Sequence, residues 1–159
     1  MRLSSVELRT MKFHKITEQI SVCVATDGDQ GRELAYGAKI FSCQRVVYIH
    51  NHVSVGRAQR IKDLGATVVR INGEYEDSVE RAKEDCRMKG WHFVSSTPWD
   101  NFNSGIPRDV MNACMIVVEE AMSMAPTVKE ISHAFACGGV GSIAGITFLR
   151  ILIRFREIE

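Results

Sequence analysis

Two glycine-bearing turns and one carboxylate carry the chemistry that this sequence offers. Ala25-Thr26-Asp27-Gly28-Asp29-Gln30-Gly31 follows the apolar run Val22-Cys23-Val24-Ala25 and leads into a segment of helical character. Gly138-Gly139-Val140-Gly141-Ser142 repeats the arrangement far downstream, after another apolar strand and ahead of another helix. A strand that breaks at such a turn and re-enters a helix presents backbone N–H groups and the positive end of a helix dipole to an anion. Glycine lets the backbone bend sharply and come close to a ligand. Successive N–H groups from Gly138 to Ser142 suit a phosphate, although on the residues alone a turn needed for strand-to-helix packing explains these glycines better. Asp27 brings a carboxylate to the same crevice. It can take a proton if desolvation lifts its pKa above the ordinary ~3.9, or it can cap the helix that follows; the residues leave both roles open.

Other polar residues read more plainly. His50 and His52 flank Asn51, but two histidines without a third ligand nearby mark a strand exit more often than a metal site. Ser96, at a strand end, can bond a substrate group or simply form a turn. Trp99 and Phe102 read as cleft wall or core, and the charges of 76–87 as a solvated helical face.

The elements that position these groups alternate between strand and helix. Strands are expected at 22–25, 45–50, 67–71, 92–96 and 132–137, and helices at 32–41, 55–64, 75–89, 106–124 and 142–154, with a weakly helical segment at 5–19 ahead of them. Gly65 and Gly90 stand where helices stop. Short connections and regular alternation predict an α/β fold, a parallel sheet with helices on both faces. The expected organisation is an amino-terminal helical segment, 1–21, and an α/β domain, 22–159. A sheet of this class ordinarily continues beyond the apolar stretch 148–156, so the chain reads as cut rather than finished.

A chain of 159 residues is long enough for one domain with a real core. Its apolar share of 45% and charged share of 25% are those of an ordinary globular protein. A net charge of +1 with dispersed basic residues gives no reason to propose a nucleic-acid partner. Cys23, Cys43, Cys86, Cys114 and Cys137 are scattered without metal-ligand spacing, which predicts free thiols in a reducing compartment. No apolar run is long enough to cross a bilayer, and residues 1–15 lack the apolar core of a secretory signal, so a cytoplasmic location is expected.

The motifs add a family. Ala25-Thr26-Asp27-Gly28 with Gly31-Arg32 closely resembles the A-T-D-G-N-H-G-R signature of diaminopropionate ammonia-lyase. Arg57, Arg60-Ile61 and Leu64-Gly65-Ala66 resemble that family's helix and its L-G-A turn, and Tyr75-Glu76-Asp77-Ser78-Val79 its N/E-Y-D-D-T/S-V stretch. Thr97-Pro98-Trp99 resembles its T-A-W, Ile106-Pro107 its I-P, and Gly139-Val140-Gly141-Ser142 with Ala144-Gly145 its phosphate loop. The matches keep the family's order over most of the chain.

This resemblance implies a part of the fold type II architecture of pyridoxal-phosphate enzymes, shared with the tryptophan synthase β chain and threonine dehydratase. It implies pyridoxal phosphate as cofactor, a small amino acid as substrate and a homo-oligomer, with ammonia eliminated from 2,3-diaminopropionate to leave pyruvate. It places Asp27 as general base, Asp29 at the cofactor's phenolic oxygen, and Gly138, Gly139, Val140, Gly141 and Ser142 around the phosphate. Three departures accompany it. The family's Schiff-base lysine belongs to an F-K-x-x-G-G-type motif that this sequence does not contain; Lys12 and Lys15 lack the following glycines. Asp29 stands where the family has asparagine, and an ionised aspartate only accepts hydrogen bonds. Ser96 stands at the family's second catalytic aspartate. The expectation is therefore a truncated or degenerate relative, inactive by itself, with a non-catalytic phosphate- or nucleotide-binding module or an inactive partner subunit as the alternative.

Overall fold

The structure, a computed structural model, describes residues 4–95 and 105–124. It divides into two compact units, Met1–Val94 and Ser95–Glu159. In the first, the short helices α1 (Ser5–Leu8) and α2 (His14–Thr17) flank a 3₁₀ turn, Met11–Phe13. Then follow β1 (Ser21–Ala25), α3 (Asp29–Ile40), β2 (Gln44–His50), α4 (Val55–Asp63), β3 (Thr67–Ile71), α5 (Tyr75–Lys89) and β4 (His92–Phe93). The described part of the second unit is α6, Ile106–Met124. Pro107 falls in its first turn, where a missing N–H removes no intrahelical bond. None of the described helices is long and apolar enough to cross a membrane.

The four strands form one parallel sheet in the order β3-β2-β1-β4. Alternation along the strands sorts their side chains between two cores. Val24, Val47 and Ile49 face α3 and α4, where they pack with Ala35, Ala58 and Ile61. Cys23, Ala25, Val46 and Tyr48 face α5, where they pack with Ala82, Cys86 and Phe93. The placement of helices follows from chain direction. α3 and α4 carry the chain from β1 to β2 to β3, whereas α5 brings it back past β1 to β4, so right-handed crossovers put α5 on the opposite face.

The expected strands and helices are present as far as the described residues reach, with informative differences. β4 comprises two residues, although Val94 N–H still donates to the Cys23 carbonyl at 2.8 Å. The segment 5–19 is broken rather than one helix. A capping box between Ser4 and Glu7 opens α1, and the Thr10 hydroxyl donates to the Glu7 carbonyl at 2.6 Å, diverting an acceptor that a longer helix needs. Cys23 on β1 and Cys86 on α5, expected as scattered free thiols, meet sulfur to sulfur in the core with Cα atoms 7.4 Å apart. Both lie on faces that the helix and strand periods turn inward. The strand expected at 132–137 and the helix at 142–154 lie outside the described residues.

One polar network fastens α5 to the sheet. The Tyr48 hydroxyl, on a side chain 1% exposed, donates to Asp85 Oδ2 at 2.5 Å. Arg81 and Lys89, one turn to either side, bind the same carboxylate at 3.0 and 3.1 Å. Burial pushes the Tyr48 phenol up, and its bond to Asp85 pushes it further. The bond from Tyr48 holds the Asp85 carboxyl below its usual range against its own desolvation, with Lys89 and Arg81 assisting. A group held down in the folded state adds stability above its ordinary value of about 3.9 and loses it as the pH falls. Asp85→Asn is therefore expected to lower unfolding stability by about 1–3 kcal/mol at neutral pH. In urea titrations the gap from the unsubstituted protein should shrink steadily below about pH 4.

Candidate active site

The carboxyl edge of β1 and β2 carries the charged groups that the sheet brings together. The pairing of Ala25 with Tyr48 continues one residue further, where Thr26 N–H donates to the Tyr48 carbonyl at 3.0 Å. The Thr26 hydroxyl, buried, then accepts from Gly28 N–H at 3.1 Å and turns the chain into α3. Asp27 stands at the tip of that turn with its side chain 64% exposed. It does not cap α3. Gly28 occupies the N-cap position and no side chain caps the helix, so the capping role open to Asp27 is not the one it takes.

Asp27 instead meets a histidine. Its Oδ1 lies 2.9 Å from Nε2 of His50, the last residue of β2, whose side chain is only 13% exposed. The other ring nitrogen, Nδ1, accepts from the backbone N–H of His52 at 3.3 Å. A nitrogen that accepts carries no proton, so the neutral ring holds its hydrogen on Nε2 and donates it to Asp27. The Arg57 guanidinium donates to the Asp27 carbonyl at 3.4 Å, and its stem lies against Gly28. Tyr75, opening α5, completes the edge: burial, then the carboxylates of Asp27 and Glu76, push its phenol up and keep it protonated.

The bend that carries His50 and His52 is tied down from β3. A single Arg70 nitrogen, Nη1, donates to the carbonyls of His50, Asn51 and Val53 at 3.1, 2.8 and 2.8 Å. Asn51 bonds Asn72, and His52 Nε2 lies 3.2 Å from Glu74 Oε1. From sequence alone His50 and His52 read as a strand exit, and nothing in the sequence marks Arg70. Had the β1–β2 register been known, the pairing was legible, because Asp27 and His50 each lie two residues beyond a registered pair.

The remaining expected site residues fare differently. Asp29 lies in the first turn of α3 with its side chain 95% exposed, and Arg32 Nη1 is 3.9 Å from its Oδ1. Gly31, read as a glycine serving close approach of a ligand, serves packing. A Cβ there would stand 2.7 Å from Thr26 Cγ2 and 2.9 Å from Val47 Cγ1, so its bare backbone is what lets α3 lie on the sheet. Ser96, Gly138, Gly139, Val140, Gly141 and Ser142 lie outside the described residues.

Residues 3–150 match the family described as pyridoxal-phosphate dependent enzyme. Diaminopropionate ammonia-lyase of Salmonella typhimurium is 32% identical over 148 residues, which are 90% of this chain and 36% of that protein. The holo diaminopropionate ammonia lyase of Escherichia coli superposes with a TM-score of 0.78 at 25% identity, covering 94% of this chain and 38% of the other. The same enzyme in complex with D-serine gives the same score, identity and coverage. The chain thus spans little more than a third of the length of the curated relatives it matches.

Arg70→Met keeps an apolar stem and removes the donor that holds the bend. Amide hydrogen exchange at Asn51, His52 and Val53 is expected to quicken by about tenfold, with Cys23 and Val24 in β1 unchanged. Unaltered exchange at the bend would show that the three carbonyls are held without Arg70.

Proposed function

The chain belongs to the pyridoxal-phosphate dependent enzyme family, and from that premise we propose that the carboxyl edge of β1 and β2 is the acid–base side of an ammonia-lyase-like site for a small amino acid in the cytoplasm. Asp27 is the proton acceptor of this reading. The observation that carries it is the state of that carboxylate: exposed at the sheet edge, free of any capping bond, and held through one oxygen by a largely covered histidine. That leaves Oδ2 for a proton at the substrate's Cα. The relatives supply the substrate class, since diaminopropionate ammonia-lyases match in sequence and one of them is solved with D-serine.

In this family, bound pyridoxal phosphate supplies the electron sink that makes a Cα proton removable. The described residues fit that chemistry at Asp27, where a carboxylate with a histidine partner faces an open edge. They do not fit at Asp29. A carboxylate there would meet the cofactor's phenolic oxygen as acceptor against acceptor, and Arg32, 3.9 Å from Asp29 Oδ1, would only offset part of the charge. The residues proposed for the phosphate are Gly138 to Ser142, on the sequence alone. Asp29 favours a second reading, in which the chain is an inactive relative, a non-catalytic partner or a phosphate-binding module.

Of two measurements, the second separates these readings. Borohydride reduction in the presence of pyridoxal phosphate, with peptide mass mapping, is expected to find no stoichiometric pyridoxyl adduct on Lys12 or Lys15, and 2,3-diaminopropionate is expected to yield no pyruvate. In D2O containing alanine and millimolar pyridoxal phosphate, the protein is nonetheless expected to speed Cα proton exchange beyond the cofactor alone. Asp27→Asn should remove that gain, on the order of 10²–10⁴-fold for a positioned base. Exchange no faster than with the cofactor alone leaves the non-catalytic reading standing.

A further inference from the structure

Resting on the reading of Asp27 as proton acceptor, we propose that His50 is its positioning residue: it donates Nε2–H to Oδ1, fixes the carboxylate's rotation and thereby aims Oδ2 at the substrate. Three observations carry this. The contact is short, 2.9 Å, and runs between a side chain 13% exposed and one 64% exposed, so the less exposed imidazole is the better-held member. The ring is itself oriented, because its Nδ1 accepts from the His52 backbone N–H at 3.3 Å. The bend that supplies this N–H is tied by Arg70 to three carbonyls, those of His50, Asn51 and Val53. A chain of fixed groups thus runs from β3 through the bend and the imidazole to one oxygen of Asp27.

A carboxylate on an exposed turn otherwise samples several rotamers, and each misdirected one is lost to proton transfer. Binding Oδ1 to a ring that cannot turn selects the orientation in which Oδ2 is free. His50 moves no proton in this scheme. It touches neither substrate nor cofactor, and its role is exerted through Asp27.

The test combines a spectroscopic signature with exchange kinetics on the whole protein. In proton NMR, a slowly exchanging downfield ring N–H is expected for His50 Nε2–H, and Asp27→Ala should abolish it. In the alanine exchange assay with pyridoxal phosphate, His50→Leu should lower the saturating rate about 10- to 100-fold with little change in the alanine concentration for half-saturation. His50→Gln, which keeps an N–H donor, should recover much of the rate. A His50→Leu rate equal to that of the unsubstituted protein, when Asp27→Asn abolishes exchange, overturns the positioning role and leaves Asp27 as base. Exchange no faster than with cofactor alone overturns Asp27 as base, and the positioning role falls with it. If His50→Leu does not fold, as judged by its thermal transition, the ring N–H decides: its absence in the unsubstituted protein overturns the proposal.

Discussion

Everything at the candidate site depends on the register of β1 against β2. Ala25 pairs with Tyr48, and the ladder runs one bond further, from Thr26 N–H to the Tyr48 carbonyl. A slip of β1 by one residue would turn Val24 from the α3–α4 core to the α5 core and carry every other side chain of β1 to the opposite face with it. It would also separate Asp27 from His50, which stand level only because each strand ends where it does. The same period that sorts apolar side chains between two cores therefore sets which acid meets which base. Gly31 lets α3 sit so close to Thr26 and Val47 that no side chain fits there.

Much of this architecture was legible in the sequence. α5, β3 and α6 have the bounds expected for them, because each has a clean period and a clear stop or start: Gly90 after α5, Pro107 within the first turn of α6. α3 begins three residues earlier than expected, because Gly28 and not a later residue serves as its N-cap. The broken segment 5–17 was harder, since Thr10 ends α1 through its own hydroxyl, a local competition that apolar spacing does not report. The site was legible in part. Asp27 announces itself in a motif. His50 does not, because its importance lies in a partner 23 residues away, and only register brings the two together. Gly31 misled for a related reason: a glycine for a ligand and a glycine for a helix look alike in one dimension.

The polar residues differ in how far the fold closes them in. Asp85 is buried, satisfied by Tyr48, Arg81 and Lys89, and has no acceptor capacity turned to solvent that the sheet does not use. It belongs to the far side of the sheet and joins α5 to β2. Arg70 works at the edge, spreading one nitrogen over three carbonyls. Asp27, by contrast, keeps one oxygen bound and one in the open.

The strand order β3-β2-β1-β4 also bears on how the chain folds. Its first three strands are neighbours in the sheet in the order in which they are made, and each crossover between them is short. β4 alone must travel back past two strands to pair with Val22 and Cys23. Contacts between nearby segments close at the smallest entropic cost, so during synthesis the β1-α3-β2 unit can form as soon as it clears the ribosome. On that path the carboxylate and the imidazole meet while the sheet's other flank is still bare. The β1–β2 edge can thus form before β4, and β1 stays an open edge strand until β4 arrives to cover it.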